Sequence, residues 1–267
     1  MFVLDIIFGV IDQMGREIFL FKPLKGRYVW LAPVIYVVAV MLFAGPLLSK
    51  IGVFNYTVGL LCIFLSFFGA VLFLLLEMIV FLRVVLFKGL KNTSFHLSSI
   101  FLALFVFLMV LIQLLPALDK PMIHNISTNT QPPPSFVKAI PIRSLLNSNT
   151  TDYRFNPENA ELQKRAYSGL SPYVSKRSGE DLFREVQRIL ELLGMEIINS
   201  DFDSLRLEAV ATSFWFGFKD DILVQIREYE DGTLAEIRSV SRVGVSDLGA
   251  NAARIHRILE ELEKLDA

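Results

Sequence analysis

The chain contains the stretch FNYTVGLLCIFLSFFGAVLFLLLEMIVFLRVVLF at Phe54–Phe87, in which Glu77 and Arg83 are the only charged residues. Two similar apolar runs flank it, YVWLAPVIYVVAVMLFAGPLL at Tyr28–Leu48 and FHLSSIFLALFVFLMVLIQLLPA at Phe95–Ala117. Each run reaches the length of about 20 apolar residues that a helix needs to cross a hydrocarbon core. Lipid offers no partners to backbone polar groups, so such runs must be helical. The sequence therefore predicts three transmembrane helices within residues 24–118 and a water-facing domain after them.

The distribution of lysine and arginine around these runs predicts the orientation of the anchor. Basic residues are concentrated before the first run and between the second and third runs: Lys22, Lys25, Arg27, Lys88 and Lys91. The loop between the first and second runs holds only Lys50. Because Lys and Arg accumulate in cytoplasmic loops, we expect a cytoplasmic N-terminus and an extracytoplasmic C-terminal domain. We interpret the setting as a bacterial inner (cell) membrane with the domain in the periplasm.

The first 23 residues have the pattern of an amphipathic helix. Polar side chains recur on one narrow stripe, and apolar side chains such as Phe2, Ile7 and Met14 lie opposite. The segment lacks the basic n-region and small-residue cleavage site of a signal peptide. We predict an amphipathic helix at residues 1–23 that lies in the membrane interface. A short soluble helix packed on the spans is the alternative.

The second apolar run is longer than a bilayer requires. Its residues would extend about 51 Å as a helix at 1.5 Å per residue, against a hydrocarbon core of about 30 Å. Placing the core over Val58–Leu76 leaves Glu77 near the interface at little cost. The alternative is a carboxylate inside the bilayer, which would indicate a transport or proton role.

Charge divides unevenly along the chain. Residues 1–118 hold eight Lys/Arg and four Asp/Glu, whereas residues 119–267 hold 18 and 23. A net-acidic domain without a basic tract argues against a nucleic-acid partner. The single cysteine, Cys62, lies in the second run, so the C-terminal domain has neither a disulfide nor a thiol site.

Residues 119–175 are rich in proline, but they also contain regularly placed apolar side chains such as Ile123, Phe136 and Tyr153. A free linker would not need these apolar side chains. We therefore expect a Pro-rich segment that wraps against the folded domain.

The periodicity of residues 176–267 predicts an α+β core. Apolar residues follow a helical period over Glu180–Leu193, and a second helix is predicted from about Asp247. Between them, β-like segments occupy Met195–Asn199, Leu205–Thr212, Ile222–Tyr229 and Leu234–Arg242. The last two are joined by a predicted hairpin turn at residues 230–233, in which Gly232 is free to take a positive φ. The order α-β-β-β-β-α predicts an antiparallel sheet of about four strands with two helices on one face.

Several motifs within residues 121–263 resemble a known family. They are PMIHNIST at 121–128, AY at 166–167, TSFWFGFKDD at 212–221, RSVSRVG at 238–244 and SDLGANAARI at 246–255. Together they resemble the uncharacterised family called domain of unknown function 1499, here fused to a three-span anchor. The family usually has Asp where this chain has Asn125. The resemblance names the domain without assigning a reaction to it.

The stretch Arg238–Arg242 predicts a candidate anion site. Alternate strand residues share a face, so Arg238 and Arg242 point together at a spacing of about 7 Å and could clamp a carboxylate or phosphate. The residues Ser246 and Asp247 then open a helix whose N–H groups favour an anion. The candidate ligand-binding residues are Arg238, Arg242, Ser246, Asp247, Asn251, Arg254, His124 and Trp215.

Between the two roles for these residues, we favour a structural one. Arg242 would pair with Asp247 or Asp221, Ser246 would cap the helix, and Asn251 would tie down a loop. The aromatic cluster Phe214–Phe218 has three interpretations: a ligand pocket, a contact with the lipid surface near the tether, and core packing with a bulge at Gly217. We favour core packing, because aromatic side chains dominate ordinary cores.

Catalytic signatures are few. The sequence has no H-E-x-x-H, G-x-S-x-G, Walker or G-x-G-x-x-G motif, and no ligand spacing predicts a metal or cofactor. We therefore predict a non-catalytic envelope module that binds a partner protein or an anionic or lipid-derived small molecule. The alternative is a hydrolase-like envelope enzyme that uses His124 with a nearby Ser, Asp or Glu, for example Ser241.

Overall fold

The structure, a computed structural model, describes residues 31–87, 97–145 and 157–266. The helix expected at residues 1–23 lies outside these ranges, as do Lys88, Lys91 and Tyr153. The chain divides into two compact units. Of the described residues, the first unit contains 31–44, 61–87 and 97–110, and the second contains 45–60, 111–145 and 157–266.

Three long apolar helices precede the domain, as predicted. They are α1 Leu31–Lys50, α2 Tyr56–Phe87 and α3 Leu97–Leu118. Each contains a segment that is long and apolar enough to cross a membrane: Pro33–Lys50, Tyr56–Arg83 and Ser98–Leu118. Most of their large apolar side chains are exposed, as a lipid-facing surface requires.

The first unit is packed through small and apolar side chains. Ser66 donates a hydrogen bond from Oγ to the carbonyl of Val38 over 2.9 Å, and a Cβ at Gly69 would lie 3.0 Å from Val38 Cγ2. Small residues let helices approach closely. Glu77 is only 7% exposed and lines a cavity of about 260 Å³ with Leu74 and Ile100. Its side chain therefore packs inside the helical unit.

The second unit contains an α+β domain, which confirms the predicted fold class. Its helices are α4 Ala139–Leu145, α5 Pro157–Ala166, α6 Gly179–Leu192 and α7 Ala250–Glu263. Its strands are β1 Asn125–Ser127, β2 Tyr173–Ser175, β3 Glu196–Asp201, β4 Arg206–Thr212, β5 Lys219–Tyr229 and β6 Gly232–Ser241. All pairings are antiparallel, in the order β1-β6-β5-β4-β3, and β2 also pairs with β6.

The two short strands complete the sheet beyond the four predicted strands. Both pair with the outer edge of β6, with Ile126 opposite Ser239 and Val174 opposite Leu234. An uncovered edge strand is a template for aggregation. The Pro-rich segment thus contributes two strands that cover this edge.

The two main helices pack on one face of the sheet. The helices α6 and α7 bury apolar residues such as Leu182 and Ile255 against Ile222 and Ile237 of the sheet. Ser178 caps α6 by accepting a hydrogen bond from the backbone N–H of Asp181. This face forms the main core of the domain.

The opposite face of the sheet is also covered. Phe136 and Ala139 of the Pro-rich segment pack against Leu223 and Val240. As a result, polar side chains that point away from the helices are buried rather than solvated.

The predicted hairpin joins β5 and β6, but its positive φ lies at another residue. The positive φ lies at Glu230 (48°), so the prediction for Gly232 was wrong. Position 232 needs glycine for another reason, because a Cβ there would collide with the carbonyl oxygen of Ser175. The close approach of β2 therefore requires the missing side chain.

A fragment covering residues 119–267 is expected to fold without the spans. The main core lies entirely within that fragment, and a domain of this size can fold alone. Its thermal melt should be cooperative. A shorter fragment, residues 176–267, loses β1, β2 and the cover on the second face, so its melt should be non-cooperative. A non-cooperative melt of the longer fragment would show that residues 45–60 or 111–118, which belong to the same compact unit, are needed for folding.

Candidate functional site

The motifs named from the sequence meet at one end of the sheet. Antiparallel register places Thr212 opposite Lys219, Asp220 opposite Ser241, and Asn125 opposite Val240. The strand ends at these residues define what we call the motif end of the sheet. The loops at residues 213–218 and 242–249 both leave the sheet there.

A buried group of charges lies on the face that the Pro-rich segment covers. Asp221 Oδ1 accepts a hydrogen bond from Arg242 Nη2 and Asp221 Oδ2 accepts one from Arg143 Nη1, each over 2.7 Å. Arg143 also donates to the carbonyl of Ser241 over 2.7 Å. The three charged side chains are almost completely buried. Of the two partners considered for Arg242, the structure pairs it with Asp221.

Arg238 lies on the same face and is 1% exposed. Its Nε donates to Asn125 Oδ1 over 3.0 Å, and its Nη1 donates to the carbonyl of Pro134 over 2.7 Å. Its guanidinium carbon lies 5.6 Å from the centre of the Phe136 ring, within cation–π range. The side chain is thus enclosed by the Pro-rich segment.

A second polar network lies on the helix face of the motif end and centres on Asn251, which is fully buried. Asn251 Nδ2 donates to the carbonyl of His124 and to Ser241 Oγ. Asn251 Oδ1 accepts from Ser239 Oγ over 2.6 Å and from Arg254 Nη1 over 2.7 Å. Asn251 therefore ties β1, β6 and α7 together.

Arg254 extends this network to β5. Its Nη2 donates to Asp220 Oδ2 over 2.7 Å, and its Nη1 also donates to Ser239 Oγ. The adjacent residues Asp220 and Asp221 therefore point to opposite faces of the sheet. Asp220 pairs with Arg254 on the helix face, and Asp221 pairs with Arg242 on the other face. The sheet separates two candidate residues, Arg238 and Arg242, from Asn251 and Arg254.

In the loop before α7, the carboxylate of Asp247 accepts hydrogen bonds from nearby backbone N–H groups. Asp247 accepts hydrogen bonds from the N–H of Gly249 over 2.8 Å and from the N–H of Asn251 over 2.9 Å. Ser246 Oγ accepts from the N–H of Leu248. Because α7 begins at Ala250, it is Asp247 and not Ser246 that satisfies its first turn.

Burial raises the pKa of the Asp247 carboxyl above its ordinary value of 3.8, and the nearby negative charge of Asp220 raises it further. The N–H donors of Gly249 and Asn251 act in the opposite direction without cancelling the effect of burial. Asp247 is the candidate residue whose proton affinity the fold changes most clearly.

His124 and Trp215 lie at the rim of the motif end. The carbonyl of His124 accepts from the N–H of Ser241 over 3.0 Å, and its imidazole makes no hydrogen bond within the described ranges. Trp215 meets Phe214 edge to face at 5.4 Å. Core packing was the wrong interpretation for this cluster, because Phe214 is 78% exposed and Trp215 is only partly buried.

The sequence analysis missed two residues that position the motif end, Arg143 and Glu208. The fully buried carboxylate of Glu208 accepts hydrogen bonds from the backbone N–H groups of Val137, Lys138 and Ala139 over 2.6, 3.0 and 2.8 Å. It thereby holds the start of α4 against β4. An acidic residue in the otherwise apolar strand LEAVA was the available signal.

The described part of the chain contains no group of three or more His, Cys, Asp or Glu residues that could hold a metal ion.

Three helices that are long and apolar enough to cross a membrane, followed by an antiparallel α+β domain, indicate a membrane-associated protein. The chain belongs to the family described as "Protein of unknown function (DUF1499)", which matches residues 125–262, just over half of its length. The resemblance inferred from the motifs is thereby confirmed, and the three apolar helices lie outside the match. A search of curated proteins finds no match to the chain.

The pKa of Asp247 predicts a specific dependence of stability on pH. Because the folded-state pKa exceeds the unfolded value, the group favours folding below about pH 3.8, and this contribution is lost as pH rises through the folded pKa. The wild type should therefore lose stability relative to Asp247→Asn across that interval. Urea titrations of both proteins from acidic to neutral pH measure the difference. A difference that is constant with pH would contradict the prediction.

Proposed function

We propose that the protein is a membrane-anchored, non-catalytic binding module whose α+β domain lies on the extracytoplasmic side of a bacterial inner membrane. Its ligand is an anionic or lipid-derived small molecule. The alternative is that the domain binds another envelope protein. The binding surface is the motif end of the sheet.

One observation carries this proposal. The hydroxyls of Ser239 and Ser241 are engaged with the Asn251 amide, so neither is paired with the His124 imidazole as a nucleophile would be. Around this closed network, His124, Ser246 and Asp247 keep accessible surface. The buried Asn251 network holds this end of the domain rigid, and the partly exposed side chains beside it can contact a ligand.

Two exposed lysines are the support for an anionic ligand at the motif end. The domain is acidic in total, yet Lys120 and Lys219 are both exposed near this end. In this proposal Arg238 and Arg242 have a structural role on the opposite face of the sheet, because their guanidinium groups are buried with protein partners. Trp215 belongs to the rim.

Topology can be tested separately from binding. A reporter that works only outside the cytoplasm should be active when it is fused after Ala267, because the Lys/Arg pattern predicts an extracytoplasmic C-terminus. Activity of a reporter that works only in the cytoplasm would overturn the orientation. It would not by itself affect the binding surface.

Native mass spectrometry of the full-length protein, released from nanodiscs of its own membrane lipids, tests binding. A bound species should accompany the wild type and be depleted in a His124→Gln/Ser246→Ala variant. His256→Gln is the matched control, because His256 is exposed on α7. An adduct unchanged in the double variant would exclude this surface. Chemical conversion of an added envelope lipid that requires His124 would instead favour the enzyme.

A further inference from the structure

The loop at residues 213–218, which we call the aromatic loop, packs against the connection between α1 and α2. Lys50 Nζ donates to the carbonyl of Phe214 over 2.9 Å and lies 5.2 Å from the centre of that ring. Tyr56 meets Phe218 edge to face at 5.6 Å. All of these residues belong to the same compact unit. The aromatic loop is therefore fixed at the place where the chain leaves one span and enters the next.

The loop at residues 242–249 is fixed to the end of the third span. Leu118 is the last residue of α3. Just beyond it, the N–H of Asp247 donates to the carbonyl of Ile123 over 3.2 Å. A Cβ at Gly249 would lie 3.3 Å from Lys120 Cδ, so the lysine side chain passes over this glycine. Both loops of the motif end thus lie beside residues that adjoin the spans.

These same loops, and the segment just after α3, carry large apolar side chains that are exposed. Phe214 is 78% exposed, and Met122, Val245 and Leu248 are 68%, 69% and 61% exposed. Exposed apolar residues that occur singly need no explanation, but a group at one end of a domain marks an interaction surface. Aromatic residues and lysines accompany them, the composition typical of the layer between lipid headgroups and acyl chains.

We propose that the aromatic loop, with Val245 and Leu248, lies in the headgroup–acyl boundary of the bilayer that the spans cross. The apolar side chains enter the upper acyl region, while Lys50 and Lys120 remain among the headgroups. Continuity with the span ends identifies lipid as the occupant. The contact would exist in either orientation of the protein, so it does not depend on the proposed topology.

The depth of Trp215 tests this proposal. The chain has two tryptophans, so Trp30→Phe makes Trp215 the only one. In phosphatidylcholine vesicles with brominated acyl chains, Trp215 fluorescence should be quenched. Quenching should be stronger when bromine is near the headgroup than when it is near the chain end.

A matched control places tryptophan at the opposite end of the sheet. Tyr229 lies in β5 beside the hairpin and is partly exposed. In a Trp30→Phe/Trp215→Phe background, Tyr229→Trp should show little quenching in either lipid. The proposal is overturned if Trp215 is not quenched by brominated lipid. It is also overturned if the two positions are quenched equally, since the domain would then contact lipid without a preferred face.

Discussion

Asp221→Asn is expected to destabilise the domain by about 3–5 kcal/mol, the cost typical of breaking a buried ion pair from one side. The substitution conserves shape, so the loss would arise from charge and hydrogen bonding rather than from a cavity. Two buried guanidinium groups, those of Arg143 and Arg242, would lose the carboxylate that each contacts at 2.7 Å. Urea titration of the full-length protein in detergent, with unfolding monitored by near-UV circular dichroism, measures the change in free energy of unfolding.

A matched control breaks an ion pair that is exposed. Glu180 lies 3.5 Å from Arg184 on the surface of α6, and Glu180→Gln should cost less than about 1 kcal/mol. Arg242→Lys keeps the positive charge but loses the two-pronged contact, so its cost should fall between these values. If Asp221→Asn costs no more than Glu180→Gln, the guanidinium groups are not essential to the fold. The ligand-binding interpretation of Arg242 would then gain support.

Local patterns predicted the elements that have their own periodicity. The apolar repeat of α6 and the alternation in β4 and β5 depend on neighbours within a few residues, and each element lies within a few residues of its predicted bounds. The strands β1 and β2 have three residues each. Such short strands carry too little pattern, and their existence depends on pairing with β6.

The polar contacts of the site were harder to predict, because their partners are distant in sequence. Arg143 and Asp221 are 78 positions apart, and Ala139 and Glu208 are 69 apart. Period-2 alternation correctly separated Arg238 from Ser239, but it could not show that both faces are covered. For that reason the sequence left two roles open for Arg242, an anion clamp and an ion pair with Asp221 or Asp247, and only the structure shows the buried pair with Asp221.

Glu208→Gln is expected to release the segment that covers the second face of the sheet. Hydrogen bonds to a charged group contribute about 1.5–3 kcal/mol each, and the new amide would present N–H groups to backbone donors. The amides of Val137, Lys138 and Ala139 should then exchange with deuterium about 10- to 100-fold faster. Glu196→Gln on the adjacent strand is the control, because Glu196 is exposed. Unchanged exchange at these three amides would contradict the assigned role of Glu208.

We also expect the effects of Glu208→Gln and Asp221→Asn on stability to be coupled. The helix α4 carries Arg143, and Glu208 holds the first residue of that helix against the sheet. Once Glu208→Gln has loosened α4, Arg143 is already partly withdrawn from Asp221, so Asp221→Asn should cost less than it does in the wild type. The double variant should therefore lose less free energy of unfolding than the sum of the two single variants, because contacts within one network are not additive. Urea titrations of all four proteins measure this difference, and strict additivity would show that α4 stays docked without the carboxylate of Glu208.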